Sequence, residues 1–324
     1  MNQTKNIRWL IAHEPVELFL RTAVAFQEKI AELTNNEYNV EIFTPEDYRA
    51  MRQLKFNSQV PQLDPMVDME KGELEMSQLH ITELAKFHSP DFFALELPFI
   101  FRDHDHAATV LEGEIGKAML SGLTTRSPAT GLAFTYSGGF RCIASDSEIT
   151  SLDQLKGIKF ATTQNPVTVD TVEAIGAQAE VFSIRDFITK FREEGYTADA
   201  LETTIPRYLA QFQNTSKKYL TNTKHNLFLT SIIISNTFLE SLDEDTRAKF
   251  QEAVMYASRL ERKWSVEDAE NFAAKSESDK GVMGVSYREA TAEETAELKK
   301  LTQPVIDKYK DFFTAGLVDG IIRS

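Results

Sequence analysis

Three observations predict an α/β fold in two lobes, with one long helix spanning both. The chain opens on a β-α-β unit, its middle starts a second strand–turn–strand–helix set, and its last third carries a helical pattern too long for one lobe. Length agrees, since 324 residues exceed one small core and suit two of ordinary size.

The first element is the apolar run Ile7–Ala12 (IRWLIA), a buried strand broken at His13, Glu14 and Pro15. A helix from about Val16 to Leu33 follows, because Phe19, Leu20, Ala23, Phe26, Ile30 and Leu33 recur at helical spacing. Asn35 and Asn36 end it, and Tyr38–Phe43 (YNVEIF) alternates as a second strand. From Pro45 to Pro65 the polarity is mixed, which predicts a loop with about one helical turn. Met66–Lys71 reads as a short helix closed by Gly72, and Leu74–Leu79 as a strand presenting His80. His104 and His106 stand two apart and share no helix face, so Asp103 is expected to cap a helix over Ala107–Leu120 and no metal site is assigned. Gly131–Ser137 reads as the strand that leads toward the second lobe.

That lobe begins with Gly138–Gly176. Cys142–Ala144 is a short apolar strand, SLDQLKG is a turn closed by Gly157, and Ile158–Ala161 is the next strand. It opens into Thr162, Thr163, Gln164, Asn165 and Pro166, where free backbone N–H groups are expected at the mouth of a sheet. Further on, Tyr219–Ser235 holds two strands around Asn226. From Asp243 to about Ser278 the pattern is helical without a break, and about 35 residues at 1.5 Å give roughly 50 Å. Two helices bent near Ser265 are the alternative. The last helix, Ala292–Phe313, is expected to be interrupted at Pro304.

The segments GFR (Gly139–Arg141), SLDQLKGIKF and Ile175–Ala177 resemble the solute-binding proteins of tripartite ATP-independent periplasmic (TRAP) transporters. In the same order stand Lys71–Glu75 (KGELE), Leu97–Phe101 (LPFIF), Tyr196–Glu202 (YTADALE), and Thr223–His225 running into Ile232–Asn236. The resemblance covers roughly residues 7–280 and rests on the order of its motifs. It implies a periplasmic binding protein-like fold: residues 1–137 and 226–264 form one lobe, 138–225 and 265–324 the other, with hinge strands near 137 and 226.

It also implies a cleft that closes on a small polar solute and delivers it to the membrane subunits of a TRAP transporter. On this reading the ligand-binding residues are His13, Glu14, His80, Arg141, Ala161, Thr163, Gln164, Glu202, Thr203, His225 and Phe228, with Asp199 structural. One departure matters: Ala161 stands where the family carries an arginine that clamps a carboxylate. Either the ligand lacks a carboxylate there, or Arg141 with Thr162, Thr163 and Gln164 holds it, or Arg207 or Arg185 replaces the clamp. A neutral polyhydroxy or amine-bearing solute is expected.

Composition sets the outer bounds. With 42% apolar and 26% charged residues the chain is a folded, water-compatible protein, and a net charge of −14 argues against nucleic acid or an anionic membrane as the main partner. The single cysteine, Cys142, cannot form an internal disulfide and reads as a buried thiol. No apolar run approaches the ~20 residues of a membrane span, and no secretion signal is visible, so a periplasmic protein would already have lost it. Phosphate-loop, HExxH, GxSxG and CxxC motifs are missing, which weighs against catalysis without excluding it; a non-enzymatic protein without cofactor or metal is expected, and a monomer. The competing reading is a periplasmic sensor, or an enzyme using Glu14, His80, Glu83, Asp199 and Glu202.

Overall fold

The computed structural model describes residues 4–12, 16–53, 64–183, 198–278 and 284–324. In chain order the strands among them are β1 (Lys5–Ile11), β2 (Tyr38–Phe43), β3 (Met76–His80), β4 (Ala129–Phe140), β5 (Cys142–Ser145), β6 (Lys159–Thr163), β7 (Gln178–Phe182), β8 (Ala200–Thr203), β9 (Tyr219–Asn222), β10 (Leu227–Ser235) and β11 (Ser286–Glu289). The chain groups into two compact units. The first comprises Met1–Phe92, Ala108–Tyr136 and Leu229–Trp264, the second Phe93–Ala107, Ser137–Phe228 and Ser265–Ser324. The segment Phe93–Ala107, expected in the first lobe, groups with the second unit.

The first sheet has the order β2-β1-β3-β10-β4. β1 runs parallel to β2, with Ile7 opposite Val40, and to β3; β10 is antiparallel to β3, with Ile232 opposite Gln78. The helix Val16–Leu33 buries Phe19, Ala23, Phe26 and Ile30 of the stripe read from sequence and half-buries Leu33, whereas Leu20 is exposed. Trp9 of β1 meets Phe26 at 5.1 Å between ring centroids, and Phe250 lies edge-on to Tyr38. This helix ends through Asn35 and Asn36, both at positive φ, while the Asn36 N–H returns to the Ala31 carbonyl. Asparagine tolerates that left-handed backbone better than a branched residue, which is why the pair terminates the helix.

The second sheet has the order β11-β9-β5-β8-β6-β7. β5 is antiparallel to both β8 and β9, whereas β6 is parallel to β8 and β7. Both faces are covered. Cys142, Ala144, Ala161 and Leu201 pack with Tyr208, Phe212 and Phe272, and the alternate residues Ile143, Phe160 and Ala200 pack with Leu155, Val172 and Leu298. Each strand side chain therefore belongs to one of two layers by its parity.

One expectation holds and two change in detail. Glu244–Ser278 is one 35-residue helix without a break at Ser265. Helix Ala292–Tyr309 runs through Pro304, whose exposed ring removes one backbone bond without ending the element. The helix expected over Ala107–Leu120 is two, His104–Glu112 and Glu114–Gly122, because Gly113 separates them. No described helix is long and apolar enough to cross a membrane.

Candidate ligand-binding site

Glu202 lies opposite Ile143 in the β5–β8 register and points into the layer shared by Phe160 and Ala200. Its Oε1 accepts a hydrogen bond from Arg141 NH1 at 3.1 Å, and its Oε2 stands 3.2 Å from His225 Nε2. All three side chains are buried. An ionised carboxylate only accepts, so Nε2 carries the proton, and the Thr223 hydroxyl, 2.6 Å from Nδ1, serves the other ring nitrogen. Burial alone would raise the Glu202 pKa. The charge of Arg141, the hydrogen bond and charge of His225, and the charge of Arg207 outweigh it and hold the carboxyl below its ordinary range.

Arg141 is fixed from several sides. Its backbone N–H donates to the Asn226 carbonyl at 2.8 Å, and its Nε donates to Asn226 Oδ1 at 3.2 Å. Asn226 is itself tied by its amide to the Glu96 carbonyl. The guanidinium carbon of Arg141 sits 3.9 Å from the centre of the Phe228 ring, and that of Arg207 lies 4.8 Å from the same centre. Arg207 comes from helix Ile205–Gln211, which starts directly after β8 and turns back over the sheet. Two buried cations thus lie against one aromatic ring beside one carboxylate.

The sequence-predicted residues separate clearly. Arg141, Glu202, His225 and Phe228 come together in the second unit. Ala161 does not join them: it is fully buried in the opposite layer with Leu201 and Tyr208. Thr203 also alternates away from Glu202, and its buried hydroxyl donates to the Thr204 carbonyl. Thr163 ends β6 half-buried and Gln164 is exposed. The free N–H groups expected after them are occupied, because Asn165 caps the next helix and accepts from Val167 and Thr168.

Asp199 accepts from the Lys159 N–H and so pins the start of β6, a structural role. His80 ends β3 in the first unit, buried and opposite Thr230. Glu83 pairs with Lys86 on its own helix. His13, Glu14 and Arg185 lie outside the described residues. His106 is engaged by the Arg102 N–H and the Ile321 carbonyl, and its own backbone N–H donates to the capping Asp103. Reading by motif did not assign Asn226 and Thr223 to the site; their place beside His225 in the connection between β9 and β10 was the available signal.

Residues 13–311 match the bacterial extracellular solute-binding protein family 7. The chain is 27% identical over 295 residues to the C4-dicarboxylate-binding periplasmic protein DctP of Rhodobacter capsulatus, covering 88% of this chain and 80% of that protein. Among solved structures it resembles a TRAP periplasmic solute-binding protein from Ochrobactrum anthropi, with a TM-score of 0.82, 26% identity, and coverage of 100% of this chain and 95% of that one. A second neighbour in fold is the sugar acid binding protein of Advenella mimigardefordensis in complex with galactonate, at TM-score 0.82 and 22% identity over 100% of this chain and 98% of that one. The match spans nearly the whole chain and the mixed α/β architecture agrees, so the chain belongs to the bacterial extracellular solute-binding proteins of family 7, a family of transport components and not of enzymes.

Proposed function

We propose that this chain binds a small carboxylate-bearing polar solute in the periplasm and delivers it to the membrane subunits of a TRAP transporter, with Arg141 as the primary anchor and Arg207 as its partner. The observation that carries this reading is the pair of guanidiniums on Phe228 beside a single carboxylate, Glu202. Such a cluster keeps positive charge in a buried setting, where an incoming carboxylate meets little competition from water. This revises the neutral solute expected from Ala161. Position 161 lies in the other layer, so its lack of charge says nothing about the group that Arg141 faces. The relative from Rhodobacter capsulatus, named for C4-dicarboxylates, supports the same solute class.

Glu202 and His225 set the direction of Arg141, while His80, His13 and Glu14 remain proposed as further ligand-binding residues. Matched pairs of acid and neutral solute test the reading by thermal shift, since only a ligand that favours the native state raises Tm. Succinate or galactonate should raise it where succinamide or galactose does not. Stabilisation by the neutral members alone would remove the proposal.

A further inference from the structure

Three pairs of consecutive residues in the second unit divide between two sites. Arg141, Thr223 and His225 serve the Glu202 cluster, whereas their neighbours Phe140, Asn222 and Lys224 line a separate cavity of about 300 Å³. That volume reaches the lower end of what small-molecule sites occupy.

The cavity has an apolar part and a charged part. Phe140, Ile205, Val266 and Ala269 are buried or half-buried, and the ring of Phe140 lies 4.8 Å from that of His104. Burial and the nearby Lys224 charge keep His104 below its ordinary pKa, which adds an uncharged ring to this part. The charged lining residues are exposed. Among them Glu289 is already engaged, accepting from Asn222 and the Tyr287 hydroxyl and pairing with Lys224 at 3.2 Å. Asp103 caps its helix. Arg102 and Glu270 are different. Arg102 gives one N–H to the Ile322 carbonyl, and neither residue makes an ion pair with any described residue.

We propose that this cavity is a second small-molecule site, for a zwitterion with an apolar body, the chemistry of an apolar α-amino acid. Its carboxylate pairs with Arg102, its ammonium with Glu270, and its side chain covers Phe140 and Ile205. A ligand of one charge would satisfy one of the two groups and leave the other in water. One carrying both completes both, and the apolar wall supplies the remaining affinity.

Calorimetry on the full chain with L-phenylalanine as probe, beside phenylacetate and phenethylamine, tests this. L-phenylalanine should bind, and each singly charged analogue should bind about tenfold more weakly or worse, the loss of one charge-assisted contact. Ala269→Trp should fill the cavity and abolish binding; if that variant does not fold, the exposed changes Arg102→Ala and Glu270→Gln should each weaken it by about the same tenfold. No binding of L-phenylalanine at millimolar concentration would overturn the proposal. So would binding that survives Arg102→Ala and Glu270→Gln but is lost in Arg141→Ala, because the amino acid would then occupy the Glu202 cluster.

Discussion

Glu202 is the residue on which the other side chains of the cluster depend. Replacing it with glutamine leaves the buried Arg141 without its counter-charge, and breaking a buried pair from one side costs about 3–5 kcal/mol. The pH dependence has a definite sign. A carboxyl whose folded pKa is depressed contributes stability that is present above its unfolded value, near 4.5, and is lost as pH falls through the folded value. Melting curves from pH 7 to about pH 3 should therefore show a steeper acid loss in the unmodified protein than in Glu202→Gln. Equal slopes would show that Glu202 is not ionised against Arg141. Ala161 gives the opposite lesson. The resemblance implies that an arginine there would clamp a carboxylate, but in this chain the side chain lies among Cys142, Leu201 and Tyr208. Ala161→Arg should thus lower Tm by the cost of several kcal/mol for an unpaired buried charge, with no gain in acid binding. Sequence order located Arg141, Glu202 and His225, yet it could not separate Glu202 from Thr203. A one-residue step along a strand reverses the face, and register comes from pairing partners far away in the chain.

At the scale of elements, strong periodicity carried the reading. The stripe Phe19, Ala23, Phe26 and Ile30 and the run Glu244–Ser278 both appear where the spacing put them. Punctuation by single residues was less legible. Gly113 divides a segment expected to be continuous, and Pro304 fails to divide one expected to break. The difference is packing: Leu298, Thr302 and Val305 bury one face of helix Ala292–Tyr309 across the proline, so the contacts on either side hold the axis while one backbone bond is lost. Pro304→Ala restores that bond on an exposed face and should stabilise the protein by about 1–3 kcal/mol, read as a higher denaturation midpoint at unchanged slope. A lower midpoint would mean that the proline ring is part of the packing.

For the whole molecule, the order of motifs pointed to the family, and a net charge of −14 argued against nucleic acid or an anionic lipid surface as the main partner. That acidity makes the local excess of cations at Phe228 more telling, since Arg141 and Arg207 stand together in a chain with 49 acidic and 35 basic residues. The ligand class was not legible from the strand that holds Ala161, because the proposed anchor draws on the junction of β4 and β5, on β8, on the helix after it and on the start of β10, elements whose proximity is a property of the fold. Titration calorimetry of the unmodified protein and of Arg141→Ala with C4-dicarboxylates and sugar acids is the most direct test of that anchor. The acids should bind the unmodified protein, and the substitution should weaken them by about 2–4 kcal/mol, roughly 30- to 1000-fold. Acid binding that is unchanged in Arg141→Ala would contradict the account.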